Sequence, residues 1–206
     1  MKCSHKHERA LYAQGHLCVV GIDEVGRGPL AGPVVAAAVV LPRKFRHKVL
    51  TDSKQLTPQQ REVLFVELTK HTEVCWAVAI VSTEDVDRLN ILRASHEAMR
   101  QALAALTRAP DHALIDGLPV RPFPIPQTAL IAGDCRSFSI AAASVIAKVT
   151  RDRLMTELDA SFPEYGFAQH KGYGTPLHLE RLKTHGPCAI HRRSFLPVRQ
   201  TEFPFA

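Results

Sequence analysis

No run of apolar residues in this 206-residue chain approaches the roughly 20 that a membrane-spanning helix needs. The N-terminal segment carries Lys2, His5, Lys6, His7, Glu8 and Arg9 where a secretory signal would be apolar. No membrane association is expected, and a cytoplasmic location is. Cysteine is scarce: Cys3, Cys18, Cys75, Cys135 and Cys188 include no C-x-x-C pair, so neither a zinc ribbon nor thioredoxin chemistry is indicated. Small buried or idle thiols are the expectation. The histidines contain no H-E-x-x-H helix. Neither G-x-G-x-x-G nor G-x-x-x-x-G-K-[ST] occurs, which disfavours a nucleotide-binding enzyme.

Acidic residues are in the minority: 26 Lys and Arg against 20 Asp and Glu leave a net charge of +6. The excess is local. Arg43, Lys44, Arg46, His47 and Lys48 form one cluster, and Lys171, Arg181, Lys183, Arg192, Arg193 and Arg199 crowd the last quarter of the chain. Such patches favour polyanions through counterion release, although many basic surfaces are merely solvated.

The length suits one domain with a small appendage. Residues 17–23 alternate as a strand, Gly26, Gly28, Pro29 and Gly32 mark a turn, and residues 34–41 are continuously apolar, as in a strand covered on both faces. The short connection predicts an antiparallel hairpin. Thr57-Pro58-Gln59-Gln60 has the capping-box pattern and starts a helix to about Lys70. Residues 74–82 read as a strand, and residues 90–106 as a helix with Leu92, Met99, Leu103 and Leu106 inward and His96 at the boundary. Strands at 112–115 and 128–132 flank a proline-rich loop at 119–126. A long helix over 139–161 carries the small residues Ala141, Ala142, Ala143 and Ser144. A short helix at 178–184 follows, and an irregular tail from Gly186 ends the chain. The order is α/β with a mixed sheet flanked by helices. The division expected is an N-terminal arm (1–16), a catalytic domain (17–162) and a C-terminal extension (163–206) that packs on it and contacts substrate.

Acidic residues recur where apolar strands run out: Asp23-Glu24, Asp116 and Asp134. Singly, an Asp beside Gly at a strand end is commonly just a turn residue. Together, on neighbouring strands, four carboxylates would repel one another and require a cation. Oxygen-only ligands select Mg2+ or Mn2+, and a pair of such ions beside a basic surface suits phosphodiester hydrolysis. A nucleic-acid-binding module gains nothing from acids clustered against phosphates. Adjacent residues on a strand point to opposite faces. Asp23 and Glu24 are therefore expected to share ions only if the chain leaves strand geometry there, with Gly26-Arg27-Gly28 supplying the turn.

The segment from Gly21 to Val34 (GIDEVGRGPLAGPV) closely resembles the signature of prokaryotic ribonuclease HII. So do Asp52-Ser53-Lys54-Gln55-Leu56, Asp116-Gly117, Gly133-Asp134 with residues 139–152, and residues 170–175 (HKGYGT), in family order. The resemblance implies an RNase H-like fold and endonucleolytic cleavage of the RNA strand of RNA–DNA hybrids. It also implies incision 5′ to single ribonucleotides in duplex DNA, leaving 5′-phosphate ends; nothing in the sequence requires more than a monomer. It assigns Asp23, Glu24, Asp116 and Asp134 to two Mn2+ or Mg2+ ions, the main chain of Gly26-Arg27-Gly28 to the ribose 2′-hydroxyl, Tyr173 to the adjoining deoxyribose and Lys54 to substrate phosphates. Glycines permit that approach, and the 2′-hydroxyl is what separates RNA from DNA. Arg151 is left as a solvated charge or a phosphate contact.

The sequence departs from the family pattern at Ala132, where a lysine is usual, and at Leu118, where asparagine is usual. The Phe203-Pro204-Phe205 tail lies outside the pattern and is expected to be a loosely held terminus rather than a docking segment. Nothing in the sequence names a replication-associated partner.

Overall fold

The structure, a computed structural model, describes residues 3–202. The apolar run after the glycine-rich turn becomes β2 (Val34–Val40), with every side chain buried. It lies between β1 (Val19–Val25) and β3 (Cys75–Val81) in a mixed five-stranded sheet. β1 and β2 form the antiparallel hairpin, from Gly21 against Val39 to Val25 against Val35. On its other edge β1 runs parallel to β4 (His112–Asp116), which pairs in parallel with β5 (Gln127–Leu130). The spatial order is β3-β2-β1-β4-β5.

Helices cover both faces. The first, α1 (Lys6–Ala13), precedes β1, and α2 (Pro58–Lys70) follows β2. The α2 start is the capping box that the sequence predicts: Thr57 Oγ1 accepts from the Gln60 amide and Gln60 Oε1 from the Thr57 amide. Such a cap stabilises a helix by about 1 kcal/mol. After β3 come α3 (Thr83–Leu89) and α4 (Ile91–Ala104) on one face of the sheet. On the other, α5 (Phe138–Ser161) crosses β1 and β2. Ala141, Ala142, Ala143 and Ser144 are buried, and a Cβ on Gly21 would overlap the Ser139 main chain. The strand that carries Asp23 is thus pressed directly on α5. Beyond it lie α6 (Phe167–His170), α7 (Pro176–His185) and α8 (Leu196–Glu202).

Several expectations need correction. The N-terminal arm contains a helix, α1, because Glu8 has a distant buried partner: its Oε1 accepts from Ser137 Oγ, Ser139 N and Ser139 Oγ at the start of α5. The segment after residue 82 folds as a separate α3. Asn90 (φ +70) then turns the chain and caps α4, so Leu92 points outward while Ala94, Ala98, Met99, Ala102 and Leu103 meet the sheet. The tail after Gly186 is not wholly irregular, since it includes α8. Phe203-Pro204-Phe205 lies outside the described residues. Among the described residues, no helix is long and apolar enough to cross a membrane.

Candidate active site

Asp116 ends β4, and the β1–β4 ladder stops one pair earlier, at Ile22 against Ile115. Asp23 and Glu24 therefore stand at an opening between the two strands. They are still in the strand: β1 continues to Val25, with Asp23 opposite Ala37 and Glu24 opposite Ala36. The expected departure from strand geometry at Asp23-Glu24 does not occur. The turn begins at Gly26 (φ +98). The acids are brought into one field by the neighbouring strand, because the charge of Asp116 acts on both Asp23 and Glu24.

Asp134 arrives from the other side. β5 ends at Leu130, Ala132 takes a left-handed conformation (φ +52), and a short 3-10 turn over Gly133–Cys135 follows. Asp116 Oδ1 accepts from the Gly133 amide at 2.7 Å and from the Asp134 amide at 3.4 Å, fixing Asp134 to the end of β4. Only 5% of Asp134 and 6% of Asp23 is exposed, so both carboxylates have lost most of their water.

The electrostatics follow from this crowding. Burial first, then Glu24 and Asp116, hold Asp23 well above the usual carboxylate range, against an opposing hydrogen bond with Ser144. Burial pushes Glu24 up to about 7, with Asp116 adding to the rise and Arg27, 3.3 Å away, opposing it. Burial, Asp116 and Asp52 push Asp134 up to about 6. Lys54 stands 4.0 Å from Asp134, its side chain largely exposed. One buried oxygen, Glu24 Oε2, has no hydrogen-bond partner. Crowded acids with raised pKa values and an orphaned oxygen fit divalent cations. The Cys135 sulfur lies within 4.8 Å of ligand oxygens of Asp52 and Asp134. Burial and Asp134 raise its pKa, and a hard divalent cation is served by the carboxylate oxygens rather than by the sulfur.

The glycine-rich turn adjoins this cluster. Gly26 is buried, whereas Arg27 and Gly28 are exposed. A Cβ on Gly28 would come within 3.7 Å of Tyr173 Cε1, so the ring and the turn face one another. The Leu30 amide donates to Gly172 O at 2.8 Å and holds the two segments together. Gly26, Arg27, Gly28 and Tyr173 therefore gather at one side of the carboxylates, and Lys54 at another.

Arg151 is neither a solvated charge nor a phosphate contact: it is fully buried and donates to the carbonyls of Ala31, Pro33 and Lys171. Two residues went unrecognised in the sequence. Asp52 adds a further carboxylate beside Asp134, and its place two residues before Lys54 was the available signal. Ser144, read there as a packing residue, hydrogen-bonds Asp23 and Ser53.

The Ribonuclease HII family model matches residues 20–198. A ribonuclease HII from Geobacillus kaustophilus (strain HTA426) is 54% identical over 195 residues, covering 95% of this chain and 74% of that protein. The ribonuclease H2 from Pyrococcus horikoshii OT3 superposes with a TM-score of 0.75 at 32% identity, over 90% of this chain and 97% of its own. The RNase HII of the PCNA:RNase HII complex from Archaeoglobus fulgidus gives 0.72 at 30% identity, over 87% and 96%. Family, fold and site agree: the chain belongs to the ribonuclease HII family and is a metal-dependent endoribonuclease of RNA–DNA hybrids.

Proposed function

We propose that this enzyme also incises duplex DNA on the 5′ side of a single embedded ribonucleotide, using two Mg2+ or Mn2+ ions held by Asp23, Glu24, Asp116 and Asp134. The observation that carries the reading is the exposed Arg27-Gly28 main chain facing Tyr173, directly after the strand that bears Asp23 and Glu24. A site for one sugar next to a site for the reacting phosphate suits a substrate whose only ribonucleotide lies at the cut.

When bound, the divalent ions supply an activated water and relief of charge on the leaving oxygen. The chain's own residues do the selecting. The Arg27 and Gly28 amides are donors for a 2′-hydroxyl oxygen, and a deoxyribose leaves them unpaired. The Tyr173 ring, 40% exposed, packs on the neighbouring sugar. Lys54 attracts a substrate phosphate without leaving the field of Asp134. Residues 17–162 hold the ions, and residues 163–202, through Tyr173, complete the substrate groove. The enzyme acts as a cytoplasmic monomer.

The test is a nicking assay on duplex DNA with one ribonucleotide, titrated with Mn2+ and Mg2+ and run beside a long RNA–DNA hybrid. Nicking immediately 5′ to the ribonucleotide is expected. Cleavage of the hybrid alone would sink the proposal.

A further inference from the structure

The turn from Gly26 to Pro33 has almost no secondary structure to fix its peptide planes, yet its carbonyls are taken up from behind. Arg192, fully buried, donates to Gly26 O (2.6 Å), Arg27 O (3.2 Å), Pro29 O (2.8 Å), Gly32 O (2.7 and 3.0 Å) and Pro33 O (3.3 Å). Its own amide donates to Leu30 O at 2.8 Å. Arg151 secures Ala31 and Pro33 from the α5 side.

In a trans peptide, the carbonyl and the following N–H point in opposite directions. Holding the Gly26 and Arg27 carbonyls on Arg192 therefore aims the Arg27 and Gly28 amides away from the core. A glycine-rich turn would otherwise sample flipped planes that present a carbonyl oxygen instead. Only a planar fork of five donors reaches this many carbonyls at once. A lysine offers three donors from one point, and burial would strip its proton.

We infer that Arg192 is the positioning residue for ribose recognition: it never touches substrate, but it fixes the direction of the two amides that read the sugar. The inference rests on the proposed role of the Gly26-Arg27-Gly28 main chain. Its support reaches α3, because Asp87 accepts from the Arg193 and Ser194 amides at 2.8 and 3.0 Å and so anchors the segment that carries Arg192. Asp87 is thus a surface handle on a buried device.

The experiment is a pair of binding measurements without divalent metal, so that nothing is cut. One probe is a duplex with a single ribonucleotide, the other the same duplex in DNA alone. For folded Arg192→Lys, the affinity ratio between the probes should fall about tenfold, with DNA binding nearly unchanged. General loss of structure would weaken both together. Asp87→Ala, which leaves the core intact, should lower the ratio about threefold and serves if Arg192→Lys does not fold. A wild-type ratio in whichever of the two variants is folded overturns the inference. Amide NMR of the wild-type protein separates it from the reading beneath it. Arg27 and Gly28 resonances should move only with the ribonucleotide probe. If they respond equally to both probes, the ribose reading falls and takes the inference with it.

Discussion

At the ends of β1, β4 and β5, buried carboxylates crowd against one another, and burial and mutual repulsion hold Asp23, Glu24 and Asp134 toward their protonated forms. A few residues further along, behind the turn at 26–33, the situation is inverted. Arg151 and Arg192 are buried cations that burial pulls down to about 10 and about 9, still charged at neutral pH and surrounded by main-chain carbonyls. Both regions hold charge out of water, which is costly in isolation. They differ in how it is compensated. The carboxylates have one another, a few donors and, at their edge, the exposed Arg27 and Lys54, so the buried cluster stays short of positive charge and can take up more. The guanidiniums are saturated by dipoles, so they bind nothing more and hold a shape. Charge density alone does not mark a binding site; unsatisfied charge does.

Removing a carboxylate should have the largest effect. Asp23→Asn or Asp116→Asn should lower turnover by about a thousandfold or more while leaving affinity for duplex largely intact. The same variants should lose the rise in Tm of about 5 °C expected when saturating Mn2+ is added to the wild-type protein, read by thermal unfolding. Persistent turnover in either variant would remove it from the metal site.

Next comes the pair of glycines. Gly26→Ala forces a side chain onto a positive φ and into Arg151 Nε, and should cost about 2–4 kcal/mol in urea unfolding. Gly28 has ordinary φ and no atom nearer than Tyr173, so Gly28→Ala should leave stability unchanged and reduce cleavage at a single ribonucleotide. Equal losses of stability would erase the distinction between the scaffold side and the sugar side of the turn.

The supporting region also carries a pH signature. His178 and His191, hydrogen-bonded through their Nε2 atoms at 3.0 Å, are pushed down to about 4, mainly by burial. His170 adds to this for both rings; His178 and Arg193 add to it for His191, whose Nδ1 lies 3.1 Å from Cys188 Sγ. Both folded values lie below the ordinary 6.5 of the unfolded chain, which therefore binds more protons in between. Their contribution is complete above about 6.5 and is lost as pH falls toward 4, on the order of 2 kcal/mol. Protonation of Asp23, Glu24 and Asp134, whose pKa values the fold raises, acts in the opposite sense over the same window. The histidine contribution is therefore read as a difference: between pH 7 and pH 4.5 in unfolding curves, His191→Gln should lose less stability than the wild-type protein.

The smallest effect belongs to Lys54. Its exposed ammonium is screened, so Lys54→Ala should raise KM about two- to fivefold and reduce the salt dependence of binding slightly, with kcat little changed.

Much of the fold was legible because its signals are local. The capping box at Thr57, the apolar run at 34–40 and the small-residue face of α5 each act through near neighbours. Of the helices that went unseen, α1 depends on a remote partner, Glu8 reaching Ser137 and Ser139, whereas α3 is a short local helix between its Ser82 cap and the turn at Asn90. The four carboxylates could be read as a set because each follows an apolar run in the sequence, although only Asp116 closes its strand. Arg151 could not, since a lone arginine within a helical run looks the same whether it meets solvent or three carbonyls.

Which chemical groups are present, and where along the chain they stand, is written in the residues: acids after apolar runs, glycines beside them, arginines in the last quarter. Which of these charges remain unsatisfied depends on how the strands and the C-terminal segment come together. The β1–β4 ladder ends just before Asp23, leaving the acids together at an opening, while the C-terminal segment carries Arg192 across the back of the glycine turn. Desolvation is the cause, because whether a charge is left short of partners depends on what the fold places around it, which no local spacing records.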